Sequence, residues 1–542
     1  MTLIVFQKKQ REGSNMTKQV PTVKDAVYQI LRNHGIDTIF GNPGSNELHF
    51  LKDFPDDFQY VLSLDEGVVV GMADGYALAS GKPSFVNLHS AAGTGNAMGA
   101  LTNSRNSHSP IVVTSGQQAR SMIFSDPLLK NTDATMLPKP LVKDSYEPLS
   151  PQEVPYCINR AINLAVSDAP GPVYVSIPYD DWEEPVRENL NLLLDRQVTQ
   201  SACVDPSTIK GLSKRINNAK SPVLILGPGV DSANCNDLVA KLAERMNAPA
   251  WIAPSAPRCP FPTNHRCFAG ILPAGEASLC EKIKAHDFIL VIGGPVFRYH
   301  QKDPGALLPQ GAQLVHVTND ADEAARAPMG DALITSIKPF VEQLYAALPE
   351  KEADCPVFKQ NVVRNTDDGA ELTVENLFDC VEEIAPANSI YLNEATSTLA
   401  TLWSRLTMAA SGSYYFAAAG GLGFALPAAL GVQMACPGRQ VIAFIGDGSM
   451  HYSISALWTA VRYEIPAIFI VLNNNGYMAL KWFAELFDVD SAPGLVIEGV
   501  DFVKIAEGYG VKSEQVDSLR SFRLSLAAAL ESDGPSLIEV KL

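Results

Sequence analysis

No cluster of Lys and Arg stands out in this chain, no apolar stretch is long, and no two cysteines form a Cys-x-x-Cys pair. Each absence excludes something. A formal net charge of −17 without a concentrated basic surface argues against a nucleic-acid groove, which needs clustered cations to neutralise phosphates. No stretch reaches the roughly 18 apolar residues of a membrane helix, so no membrane partner is expected. The nine cysteines are odd in number and scattered, which fits reduced thiols in the cytoplasm better than a disulfide framework or a zinc site. The opening MTLIVFQKKQREGSNM offers only LIVF as an apolar run, too short for a secretory signal. Residues 1–18 therefore read as a disordered extension outside the fold.

What is present is the composition of a globular enzyme, with 46% hydrophobic and 19% charged residues. At about 150 residues per domain, 542 residues suggest three or four domains, and the acidic balance favours a small-molecule ligand over a nucleic acid. From Thr22 apolar residues recur at helical spacing (Val23, Ala26, Val27, Ile30, Leu31), and Gly35 follows the helix end. DTIFG, YVLSL and FVNLHS then read as strands, with a helix beginning at Glu66. Alternation of this kind predicts a parallel sheet covered by helices on both faces. A polar segment from Leu194 to Ser207 reads as a linker. SPVLILGPGV, APAWIAPSAP, HDFILVIGGPV and AQLVHVTND begin a second α/β unit, and the charged stretch Pro349–Glu371 separates a third. The expected boundaries are 19–195, 205–348 and 361–542.

In the third unit, VIAFIGDG leads through a helical stretch to AIFIVLNNN. A right-handed βαβ crossover places Asp447 and Asn473/Asn474 at one carboxyl edge of the sheet. A bare carboxylate in a glycine loop repels phosphate, whereas Asp447 and an Asn amide sharing Mg²⁺ become a diphosphate receptor. Helix capping is the simpler role for Asp447 taken alone. Gly227-Pro228-Gly229 is a weak dinucleotide fingerprint, since Pro228 lacks an N–H and the third glycine is missing.

The GDG-to-NN pattern resembles that of thiamine diphosphate (ThDP) enzymes, and the resemblance to their decarboxylase branch extends over nearly the whole chain. GNPGSNELHFLKDFP, NLHSAAGTGNAMGAL, PVFRYHQKDPG, YLNEATST and AAAGGLGFALPAA carry it, in all three units. It implies three doubly wound parallel-sheet domains that bind the pyrimidine end, play a supporting role and bind the diphosphate end, in chain order. It also implies ThDP with Mg²⁺ (Ca²⁺ an alternative), active sites shared between subunits, and a homodimer or homotetramer.

Site residues carried over by this resemblance fall into four groups. Glu66 matches the acid against the pyrimidine ring that promotes loss of the thiazolium C2 proton. His89 and His300 match proton carriers, and Ser45 a contact to the substrate carboxylate. Leu422 matches the bulky residue that holds the cofactor bent, with Thr396, Gly420, Gly446, Asp447, Gly448, Ser449, Asn474 and Tyr477 around the cofactor. Asp447, Asn474 and the Gly476 carbonyl match the metal ligands. Leu128, Leu129, Phe416, Ala479, Leu480 and Phe483 match an apolar substrate pocket suited to a phenyl ring. Among the departures, Gly476 stands where the family has Thr and Met478 where it has glycine, both in NNNGYMAL, and Phe124 to Lys130 differ in part.

The activity implied is non-oxidative decarboxylation of an aromatic 2-keto acid, benzoylformate to benzaldehyde and CO₂, with carboligation as a side activity. The alternatives are a ThDP enzyme of other 2-keto acids or aldehydes, and a non-catalytic ThDP-binding paralogue.

Overall fold

The computed structural model describes residues 20–187, 190–350, 357–359 and 362–542. The expected extension at 1–18 and the expected start of the third unit at 361 lie outside them. The first predicted helix is observed at Val23–Asn33, capped by the Thr22 side chain on the Asp25 N–H, with Gly35 in the left-handed region just beyond.

Three six-stranded sheets follow one another along the chain, and every strand pair is parallel. The first contains β1 (Thr38–Asn42), β2 (Gln59–Leu62), β3 (Ser84–Leu88), β4 (Ile111–Gln117), β5 (Ser145–Tyr146) and β6 (Val173–Pro178), in the order 2-1-3-4-6-5. The second contains β7 (Pro222–Leu226), β8 (Ala250–Ile252), β9 (Phe268–Ile271), β10 (Phe288–Ile292), β11 (Gln313–Thr318) and β12 (Asp331–Ile334), in the order 12-11-10-7-8-9. The third contains β13 (Ile390–Glu394), β14 (Tyr414–Phe416), β15 (Val441–Gly446), β16 (Ile468–Asn473), β17 (Lys512–Val516) and β18 (Ser536–Lys541), in the order 14-13-15-16-18-17. Counted from its own first strand, the third sheet repeats the order of the first. Both reverse direction between their first and third strands, and ligands of open parallel sheets collect at the carboxyl ends there.

The central strands read as continuous apolar runs because both faces are covered: VIAFI of β15 and IFIVL of β16 are wholly buried. One apolar cluster joins the second unit to the third, from Leu226 and Phe340 to Phe378 and Phe444. Another joins the first to the third, from Val70 and Met72 to Leu426 and Leu430. At the latter contact the helices Glu66–Ser80 and Ala425–Ala435 meet nearly backbone to backbone. A Cβ on Gly75 would lie 2.2 Å from the Ala428 carbonyl oxygen, and one on Gly431 1.9 Å from that of Met72. The weak fingerprint Gly227-Pro228-Gly229 has a similar explanation, since its glycines pack on the Gly293-Gly294 backbone.

All three units meet at one ion pair. Buried Arg258 donates from Nε to Asp231 Oδ2 at 2.7 Å and from Nη1 to the Leu78 carbonyl of the first unit at 3.1 Å. Asp231 Oδ1 accepts the Gly412 N–H of the third unit at 2.9 Å and an Asn236 amide hydrogen at 3.1 Å. Removing one partner strands the other charge without water. Asp231→Ala is therefore expected to destabilise the protein by about 3–5 kcal/mol, read as a lowered thermal midpoint; a wild-type midpoint would refute the role given to this pair.

Candidate active site

Strand β15 ends in Gly446 and hands the chain to a short helical turn that begins at Asp447. Asp447 is 3% exposed; its Oδ1 accepts the Gly448 N–H and its Oδ2 the Gly476 N–H, both at 2.8 Å. β16 lies next in the sheet, with Gly446 paired to Leu472, so Asp447 and the asparagines share one edge as the crossover requires. The two asparagines then separate by role. Asn473 donates to Glu539 Oε1 at 2.7 Å and accepts the Asn475 N–H at 3.0 Å, so its side chain is spent on the fold. Asn474 Oδ1 is buried with no hydrogen-bond partner. An orphaned acceptor costs about 1–3 kcal/mol unless a cation or donor completes it.

The loop itself is built around close approach. A Cβ on Gly448 would sit 2.4 Å from the Tyr477 ring, and one on Gly476 2.3 Å from the Leu495 carbonyl oxygen. Gly476 is thus required by its own surroundings, and Asn475 beside it holds φ +57°, a conformation Asn tolerates. Met478 begins the helix Met478–Leu486 and donates its N–H to the Gly476 carbonyl at 3.1 Å. That carbonyl keeps a lone pair. Asp447, the free Asn474 oxygen and this carbonyl therefore fit an oxygen-ligated divalent cation, with donor N–H groups and glycines for a diphosphate beside it.

These residues open onto a cavity of about 1000 Å³. It brings together the cofactor-binding candidates Thr396, Gly420, Leu422, Gly446, Asp447, Gly448, Ser449, Asn474, Gly476 and Tyr477. It also receives Phe416, Ala479, Leu480, Phe483 and, from the second unit, His300, whose ring meets Phe483 edge-on at 5.0 Å. Leu422 rides on a loop secured from two sides. Asn103 of the first unit donates to the Gly421 carbonyl at 2.9 Å and accepts the Ala419 N–H at 3.2 Å. Glu394, at the end of β13, accepts the N–H groups of Gly423 and Ala425, the latter at 2.6 Å. Burial pushes the Glu394 carboxyl up to about 7, against these two N–H bonds.

Ser45, Glu66, His89, Leu128 and Leu129 do not line this cavity in one chain. They belong to a second cluster at the carboxyl edge of the first sheet. His89 follows β3, and its Nδ1 lies 2.8 Å from Glu47 Oε2. Glu47 is 1% exposed and also accepts the Gly44 N–H at 2.8 Å and the Gly116 N–H at 2.9 Å. The imidazole packs so closely on Gly44 that a Cβ there would lie 2.1 Å from Nδ1. Glu66 opens its helix and accepts an Asn96 amide hydrogen on Oε2 at 3.0 Å, leaving Oε1 beside Gly93. Ser45, Leu128 and Leu129 are exposed, Leu128 by 85%. Sequence reading missed Glu47 and Glu394. Each sits in a quoted motif, GNPGSNE and YLNEATST, directly beyond or at the end of a predicted strand, which was the available signal.

Family models for the thiamine pyrophosphate enzymes match at residues 21–134 (N-terminal TPP binding domain), 209–344 (central domain) and 396–540 (C-terminal TPP binding domain). The chain is 53% identical over 519 residues to the benzoylformate decarboxylase of Pseudomonas aeruginosa, covering 96% of this chain and 98% of that protein. It is similar to the solved ThDP-dependent 4-hydroxybenzoylformate decarboxylase of Rhodococcus jostii, with a TM-score of 0.94 and 50% identity over 96% and 99% of the two chains. The benzoylformate decarboxylase structure from Polynucleobacter necessarius superposes with a TM-score of 0.92 at 36% identity, over 96% and 98%.

Replacing Asn474 by Ala is expected to weaken divalent-cation-dependent ThDP binding about tenfold or more, while Asn473→Ala chiefly lowers stability by removing one of the two donors, with Lys541, that satisfy buried Glu539. Calorimetric titration beside thermal melting separates the two; equal effects of both variants on cofactor affinity would contradict the assignment. Glu394 predicts a pH dependence of stability. Its folded value near 7 exceeds its ordinary 4.5, so between these pH values the folded chain holds more protons there. Its contribution to stability is present at the low end and falls as pH rises through this window. Glu394→Gln should flatten that part of the melting-temperature profile, and an unaltered slope would count against it.

Proposed function

The chain belongs to the thiamine pyrophosphate enzyme family, and we propose that it is the carboxy-lyase that converts benzoylformate to benzaldehyde and CO₂. The unpartnered Asn474 oxygen beside Asp447 is the observation that carries the cofactor assignment; near-full-length similarity to benzoylformate decarboxylases carries the substrate. Residues 19–195 bind the pyrimidine end, 205–348 support, and 361–542 bind the diphosphate end.

Bound ThDP supplies a thiazolium able to stabilise the charge left when the keto acid loses CO₂. The chain supplies the rest. Asp447, Asn474 and the Gly476 carbonyl would hold Mg²⁺, and Leu422, on a loop pinned by Asn103 and Glu394, would set the shape of the bound cofactor. Glu66, steadied by Asn96, would offer its second oxygen to the pyrimidine ring. Glu47 fixes His89 as the Nδ1–H tautomer, so Nε2 is the atom that takes or gives the proton at the reacting carbon. His300 serves from the opposite wall against Phe483, and the Ser45 hydroxyl contacts the substrate carboxylate. Phe416, Leu480, Phe483, Leu128 and Leu129 surround the phenyl ring and exclude water. Carboligation of aldehydes is a side reaction of the same site.

The active site is completed by a second copy of the chain. In one chain the helix Met478–Leu486 buries none of its residues, leaving Leu480 47%, Trp482 50% and Leu486 55% exposed, and Phe124 in the first unit is 98% exposed. Apolar surface of this extent calls for a partner. A homodimer places Glu66, His89 and Ser45 of one chain over the cavity of the other, and pairing of dimers gives a tetramer. No described helix is long and apolar enough to cross a membrane, and the eight described cysteines are all free, which supports a reducing compartment, the cytoplasm.

CO₂ and aldehyde release from benzoylformate, 4-hydroxybenzoylformate and pyruvate should require ThDP and Mg²⁺ and favour the aromatic acids; turnover confined to pyruvate would discard the substrate. His89→Ala should lower kcat about a hundredfold or more, and wild-type turnover would remove it from the proton path. Mixing inactive Glu66→Gln and Asp447→Ala chains should restore about a quarter of wild-type activity, since half the dimers are mixed and each regains one of two sites. No recovery after subunit exchange would place the site within one chain.

A further inference from the structure

Outside the cavity, His108, Asp320 and Glu323 bring one imidazole and two carboxylates together at the boundary between the first and second units. We propose that these three side chains bind a divalent transition-metal ion, zinc in the first instance, that clips the two units together.

His108 Nε2 lies 3.9 Å from Asp320 Oδ2 and 3.9 Å from Glu323 Oε1, and all three atoms fall within 4.8 Å of one another. That spacing is too long for a charge-assisted hydrogen bond, which closes to about 2.7–2.9 Å. It lies between the roughly 3.4 Å that separates two tetrahedral ligands each about 2.1 Å from an ion and the roughly 4.2 Å of a linear pair, so the side chains need close in only slightly on an ion between them. The remaining polar atom of each side chain is already committed. His108 Nδ1 is 3.2 Å from the Pro170 carbonyl, to which only an N–H can be directed, so the Nε2 lone pair faces the carboxylates. Glu323 Oε2 accepts the Thr318 hydroxyl at 3.0 Å, and Asp320 Oδ1 accepts the N–H groups of Asp322 and Glu323 at 2.8 and 3.2 Å. Outer bonds of this kind orient metal ligands.

Charge balance points the same way. Glu323 is 8% exposed, and among the described residues no Lys or Arg forms an ion pair with either carboxylate. Lys143 and Arg298 lie in the neighbourhood, but Lys143 is bonded to Ser167 and the Asp168 carbonyl, and Arg298 to the Ala418 carbonyl. One nitrogen and two oxygens suit zinc, with water filling a fourth position through the 31%-exposed His108 side chain.

The test uses the full chain loaded with ThDP and Mg²⁺, dialysed against zinc and analysed for metal. One zinc per chain is expected, with affinity reduced about tenfold or more in His108→Ala and in Glu323→Gln and unchanged in Cys203→Ser. Zinc should also raise the melting temperature of the wild-type protein but not of the two variants. A chain that takes up no zinc, leaving only a protonated His108 ion pair, overturns the proposal, as does zinc retained equally by both variants. If a variant fails to fold, Co²⁺ on the wild-type protein decides. Nitrogen and oxygen ligation gives weak visible bands alone, whereas strong near-ultraviolet thiolate absorption would move the metal to cysteine and refute the site.

Discussion

The Arg258–Asp231 pair is the point on which the three sheets are hung. A guanidinium removed from water is tolerated only if every strong donor finds an acceptor and an opposite charge lies close. Here the acceptors come from different units: the Asp231 carboxylate of the second and the Leu78 carbonyl of the first, with Tyr415 of the third lying 5.0 Å beneath the cation. Asp231 in turn holds the Gly412 N–H. Orientation between sheets is set by these directional bonds, and the two apolar clusters fill the space they define.

A second constraint recurs at the sheet edges. Glu47, Glu394 and Asp447 are buried at or just beyond the carboxyl ends of β1, β13 and β15, and among the described residues none has a Lys or Arg partner. Each is satisfied instead by backbone N–H groups of a loop that must be held: Gly44 and Gly116, Gly423 and Ala425, Gly448 and Gly476. The carboxylates therefore act first as loop organisers. What each leaves free is an oriented imidazole beside Glu47, the Leu422 loop held by Glu394, and the unpartnered Asn474 oxygen near Asp447 that we propose as a cation ligand.

Much of this was legible in the residues. The continuous apolar runs gave the central strands, and the crossover between GDG and NNN placed Asp447 beside the asparagines. The crossover alone left Asn473 and Asn474 open and only the resemblance named Asn474; the physical reason rests on Glu539, a residue of the last strand that finds Asn473 only after β16 and β18 pair. Glu47 and Glu394 escaped for a related reason: the Gly116, Gly423 and Ala425 N–H groups that they accept come from loops remote in sequence, and a backbone hydrogen leaves no mark there. Short strands such as β5, β9 and β14 carry too few residues for a period to show. The site residues came from resemblance more than from pattern, since a lone His, Ser or Leu has no spacing to read.

The meeting of the helices Glu66–Ser80 and Ala425–Ala435 has a consequence for motion. Where the helices touch through backbone, at Gly75 and Gly431, no side chain stands between them to change rotamer and absorb a shift, so they resist sliding and pivoting by small steps. The first and third sheets of a chain consequently travel as one block, and a hinge between them is closed off. The helix Met478–Leu486, which lines the cavity, buries none of its residues in the chain's own core and can therefore shift without disturbing either sheet.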